Sequence, residues 1–97
     1  MNLERTLNLR LRHAPKAVLR EEAFGAMLVA GNLPVLSLNK DALRIWELLD
    51  GTKSVAEVEC LLEQEYESEV LRPRLLTFLD FCLTNGLLEE SDGPRSA

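Results

Sequence analysis

The apolar positions of this chain change their period once, near residue 39. Between residues 7 and 12 apolar and polar residues alternate one for one (LNLRLR), the pattern of a half-buried strand. Pro15 separates this stretch from the next strand expected, residues 17–21 (AVLRE), because proline has no N–H for a sheet ladder. A second strand is predicted at 25–30 (GAMLVA), followed by the two-residue turn signal Gly31-Asn32. A third, short strand is predicted at 34–38 (PVLSL). Pro34 at its start suits the edge of a sheet.

After this strand the period becomes 3.6. Asn39 is placed to cap a helix, and Asp41 suits the positive end of its dipole. Ala42, Leu43, Ile45, Trp46, Leu48 and Leu49 give that helix a broad apolar face, with Trp46 expected on the core side. Asp50-Gly51 stops it, Gly51 acting as C′. Ser54 and Glu57 form a capping box for a second helix. Val55, Val58, Leu61 and Leu62 are expected inside, Glu57, Glu59, Glu63 and Glu65 outside, with an end near Tyr66. A third helix runs to Asn85 and stops at Gly86. Ser68 is a candidate cap for it, but Pro73 then falls inside the first turns, where it costs a hydrogen bond. The start is therefore either nearer 70–73 or distorted. Leu87 and Leu88 should fold back onto the core, and residues 89–97 read as a frayed tail.

Composition agrees with this order. Leucine supplies 21 of 97 residues against one isoleucine and six valines, which favours helix for most of the core. A chain of this length is one domain. No apolar run approaches the roughly 18 residues of a membrane helix. The N-terminus has no apolar block of the signal-peptide kind, so the expected location is the cytoplasm, with no membrane partner. Cys60 and Cys82 sit among apolar neighbours without a Cys-x-x-Cys pair and are expected to be buried thiols. His13 is the only histidine. One imidazole without a cysteine pair is not a zinc site, and no triad can be assembled around it. Neither a cofactor nor catalysis is expected.

Charge is uneven. Residues 1–20 carry Arg5, Arg10, Arg12, Lys16 and Arg20 against Glu4, whereas residues 21–97 are strongly acidic, for a total of −5. The basic stretch suits either solvent or an acidic partner. An acidic body disfavours a phosphate backbone.

The third helix carries more apolar surface than one contact needs. Leu75, Leu76, Phe78, Leu79, Cys82 and Leu83 span an arc of roughly 160° at 100° per residue, while one core face needs a little over about 100°. Phe81 lies outside the arc, where a polar residue is expected. One reading gives the whole arc to the core. The other gives one edge of it to a groove for an apolar partner. The third strand adds to the latter reading, because an edge strand offers unpaired N–H and C=O groups to an incoming peptide.

The run LNKDALRIWELLDG at 38–51, continued by TKSVAEV at 52–58 and by Phe78-Leu79 before Gly86-Leu87-Leu88, resembles the central signature of the PqqD family. The resemblance covers roughly residues 9–90, leaving 1–8 as a flexible segment and 91–97 as a disordered tail. It implies an α+β, winged-helix-like domain, a three-stranded antiparallel sheet followed by three helices. It also implies the work of a RiPP recognition element: binding the leader of a ribosomally made precursor peptide and presenting it to a radical SAM/SPASM enzyme, as in PQQ biosynthesis. In the family the leader pairs with the third strand and lies on the third helix. By position this implicates Val35, Leu36, Ser37 and Leu38 on the strand, and Arg74, Leu75, Phe78, Leu79 and Cys82 on the helix. Phe81 joins them, although family members often carry a charge there.

Two other classes compete. A winged-helix DNA-binding regulator needs Arg, Lys, Asn or Gln along its recognition helix, and here the second helix is acidic and the third has Arg72 and Arg74 only at its start. An enzyme-only assembly adaptor would bind a modifying enzyme and no free leader.

Overall fold

The computed structural model describes residues 3–31 and 34–91. The elements in order are α1 (Leu3–Asn8), β1 (Leu11–His13), β2 (Ala17–Glu22), β3 (Gly25–Ala30), β4 (Leu36–Asn39), α2 (Lys40–Leu48), α3 (Val55–Leu62), α4 (Ser68–Thr84) and β5 (Leu88–Glu90). The fold is α+β, with an antiparallel three-stranded sheet in the order β2-β3-β4 followed by three helices.

The β2–β3 hairpin turns at Ala23-Phe24 and pairs Glu22 with Gly25. Gly25 has φ +150°, and a Cβ there would collide with the Leu38 carbonyl oxygen. Only glycine lets β4 close onto this corner of the hairpin. Gly31 turns the chain out of β3 with φ +54°. Asn32, the other half of the expected turn, lies outside the described residues.

Helix ends follow the chemistry of their caps. Asn39 accepts from the Ala42 N–H at 2.8 Å. Ser54 and Glu57 form the reciprocal capping box. At the end of α4, the Gly86 N–H donates to Leu83 O at 3.2 Å and the Leu87 N–H to Cys82 O at 2.8 Å. With Gly86 at φ +71° this is a Schellman turn. It drives Leu87 and Leu88 into the core, where each is 3% exposed. The C-cap of α2 is Leu49, so C′ is Asp50 and the left-handed Gly51, expected at C′, stands at C″.

Several expectations are corrected. The alternating stretch at 7–12 is not one strand, since its first residues end α1. Its last part is β1, which pairs antiparallel with β5 to make a second, two-stranded sheet. Glu89 and Glu90, read as tail, are part of β5. Three-residue strands are too short to show a period, and only their pairing creates them. Leu3–Asn8, read as flexible, form a short helix with Thr6 buried. In α3 the helix ends at Leu62 and turns carry the chain to Tyr66. Leu61 and Cys60 face out, while Glu59 faces in at 8% exposure. The cause is Arg72 of α4, which donates to both Glu59 carboxylate oxygens at 2.7 and 2.5 Å. These bonds hold the Glu59 carboxyl below its usual range. Pro73 does not delay α4. The helix runs through it from Ser68, with the proline on the exposed side.

The core lies between the three-stranded sheet and the helices. Leu28, Leu38, Trp46, Leu49, Val55, Val58, Leu62, Leu75 and Leu79 are each at most 2% exposed. Trp46 faces inward as expected, stacked on His13 with ring centroids 4.0 Å apart and planes 6° from parallel. His13 Nε2 lies 2.7 Å from the Trp46 carbonyl oxygen. A carbonyl only accepts, so Nε2 carries the proton. Cys82 is buried, which pushes its thiol up to about 12.

Candidate functional site

The outermost strand β4 has one side on β3 and one side open. The two edges of the sheet differ in chemistry. On β2 the edge carries Arg20, Glu21 and Glu22, charges of the kind that block edge-to-edge pairing. The open edge of β4 is Leu36, Ser37, Leu38 and Asn39, without a charge. The Leu38 carbonyl faces Gly25 of β3. Polar backbone groups alternate sides along a strand, so the N–H and C=O of Ser37 turn to the open edge. The side chains of Leu36 and Leu38 face the helices.

Beyond this edge runs a groove whose far wall is α4. Its larger depression, about 470 Å³, is bordered by Leu36, Ser37 and Leu38 on β4, by Ala42 on α2, and by Pro73, Arg74, Thr77, Phe78 and Phe81 on α4. Residues 73, 77 and 81 form one i, i+4 ladder and 74 and 78 another, so a single helix face supplies this wall. A smaller depression of about 410 Å³ continues past the start of β4, with Pro34, Val35 and Leu36 and the β3 residues Leu28 and Ala30 on one side and Phe81, Asn85 and Leu87 on the other. Leu36 and Phe81 border both. Phe81 is 45% exposed and Val35 50%, while Phe78 is half-buried.

The residues singled out from the sequence thus divide in two. Leu36, Ser37, Leu38, Arg74, Phe78 and Phe81 come together in the larger depression, and Val35 in the smaller. Leu75, Leu79 and Cys82 do not line the groove. They are at most 1% exposed and hold α4 against the core from behind. Sequence reasoning missed Ala42, Pro73 and Thr77 in the larger depression and Leu28, Ala30, Pro34, Asn85 and Leu87 in the smaller. The signal for the α4 members was Phe81 itself. An aromatic outside the core arc, with Thr77 and Asn85 four residues to either side, marks a face of the helix turned away from the core.

The groove is nearly uncharged. Among the described residues bordering either depression, Arg74 alone carries a charge. Asp41, which shares a small cleft with Arg74, accepts from the Tyr66 hydroxyl at 2.7 Å. That bond raises the Tyr66 phenol above its ordinary value. Three of the basic residues near the N-terminus are used within the chain. Arg12 pairs with Glu89, Arg20 with Glu22, and Arg10 donates to Thr52 O and approaches Glu57. Among the described residues no group of three His, Cys, Asp or Glu side chains could hold a metal ion. No helix among them is long and apolar enough to cross a membrane.

Comparison with curated proteins and with solved structures gave no match. The family model described as "Coenzyme PQQ synthesis protein D (PqqD)" matches residues 26–88, from the middle strand of the sheet to the first residue of β5. That span is more than half of the chain and contains nearly the whole groove, and it makes this protein a member of the PqqD family.

Proposed function

We propose that the groove binds the leader region of a ribosomally synthesised precursor peptide. In this reading the leader lies as an added strand on β4, and the protein presents it to a radical SAM/SPASM enzyme. PqqD membership supports a peptide-binding role related to PQQ biosynthesis and an accessory, non-catalytic part in it. The observation that carries the finer reading is the uncharged open edge of β4 beside an apolar groove on α4. Main-chain bonds to the edge supply affinity for any extended peptide, and the depressions choose among side chains. The chain itself performs no chemistry in this scheme. It holds the peptide in one orientation and releases it, for which micromolar affinity, about −8 kcal/mol, is suitable.

A nucleic-acid role has little to stand on. The acidic α3 offers no phosphate contact, and Arg72 at the start of α4 is committed to Glu59. The test is isothermal titration with the short peptide encoded beside the gene. A one-to-one complex near micromolar, lost with Ser37→Pro in a folded protein, supports the proposal. No heat from a folded protein favours an adaptor that binds only the enzyme.

A further inference from the structure

The larger depression runs beside residues 36–38 of β4, and the smaller beside residues 34–36 and the β3 residues Leu28 and Ala30, so along the segment 34–38 the two are offset by two residues. A strand laid on the open edge places its side chains i and i+2 on one face, about 6.6–6.8 Å apart. An offset of two residues along an extended segment corresponds to one such step. Phe81 stands between them and borders both. A charged residue at this position would place an ion in the middle of an apolar groove, at a desolvation cost to any apolar occupant. Phenylalanine instead joins two apolar subsites.

Polarity comes from one end. Arg74 borders the larger depression, on the Leu38 side, and the smaller depression has no charged residue among those described. No described carboxylate pairs with Arg74, although six other ion pairs form among the described residues. In a chain of net charge −5, an unpaired cation at the mouth of an apolar groove is a local exception to the surrounding field.

Resting on the strand-binding reading, we infer that the groove selects an extended peptide with two large apolar side chains two residues apart and a carboxylate flanking them. The apolar pair fills the depressions on either side of Phe81. The carboxylate faces Arg74 at the Leu38 end. Arg74 and Phe81 are the specificity-determining residues.

Phage-displayed random 12-residue peptides panned against the immobilised full-length chain test this, with winners remeasured in solution by fluorescence anisotropy. The expected winners carry an apolar pair at i and i+2 with Asp or Glu on one side. They should lose roughly three- to tenfold in affinity against Arg74→Glu and regain it when the acidic residue is exchanged for lysine. Arg74 is exposed and unpaired, so that variant keeps its fold. Winners that are blocked by Ser37→Pro yet lack the spacing, or that ignore Arg74→Glu, would overturn the inference and leave strand binding standing. A folded chain that enriches no peptide overturns both.

Discussion

On one face of α4, Leu71, Leu75, Leu79 and Cys82 are 4% exposed or less. On the adjoining face, Pro73, Arg74, Thr77 and Phe81 meet solvent, with Phe78 half-buried at the boundary. The two faces share a backbone and much of their chemistry, since leucine and phenylalanine are nearly equal in hydrophobicity. What separates them is the partner already present. The core face is covered by the sheet and the other helices of this chain. The groove face is separated by a gap from the open edge of β4. Burying a leucine fully stabilises a fold by about 1.5–3 kcal/mol. The apolar area of Phe81 contributes little to folding and is free to be buried by a partner.

This contrast can be broken deliberately. The largest effect belongs to the core face. Leu79→Ala should lower stability by about 3 kcal/mol, seen as a shift of the urea midpoint, and peptide binding should fall only as far as the folded fraction falls. A variant that remains fully folded and still loses binding would move Leu79 from the core to the site. Next comes the strand edge. Ser37→Pro removes an N–H that faces outward, so it should abolish strand addition, a loss of tenfold or more in affinity, while circular dichroism stays native. Leu38→Pro removes an N–H that faces β3 and should unfold the sheet instead. Equal behaviour of the two variants would contradict the alternation of backbone groups derived from the Leu38 carbonyl.

The groove face gives a smaller effect with the opposite signature. Phe81→Ala should leave stability within about 0.5 kcal/mol and still weaken an apolar peptide several-fold. Thermal melts and titrations on one sample separate this from Leu79→Ala. The smallest effect lies away from both faces, at Asp50. Its carboxyl is lowered from 3.8 to about 2, first by the Thr52 hydroxyl and backbone N–H and further by Lys53. A carboxyl lowered in the folded state stabilises above its unfolded value, and that contribution is lost as pH falls from about 4 towards about 2. The side chain is 45% exposed, so solvent weakens the effect. Asp50→Asn should flatten stability against pH in that window and leave peptide binding at pH 7 unchanged.

How legible was this molecule in its residues? The strands of the three-stranded sheet and the helix order follow from the period of the apolar residues, and the Asn39 cap, the Ser54–Glu57 box and the Gly86 stop rest on interactions within a few residues, so period and cap chemistry identify them. Six of the residues inferred from resemblance to the PqqD family lie together in the larger depression. Leu75, Leu79 and Cys82 belong to the core because an apolar residue at helical spacing does not say which neighbour covers it. Glu59 shows the same limit from the polar side. It reads as a solvated glutamate, and only Arg72, thirteen residues on, draws it inward.

The sequence alone determined where the three-stranded sheet gives way to the helices at Asn39, because propensity, period and capping act over one or two turns of chain. It also determined that apolar material exceeds what one helix face can bury. Tertiary structure decided which part of that excess stays open. The pairing of β1 with β5, the Glu59–Arg72 clamp, and the gap between β4 and α4 each join residues far apart in the chain. Their energies depend on a separation in space that no local pattern encodes, and the groove exists only once those long-range contacts have set α4 at its distance from the sheet edge.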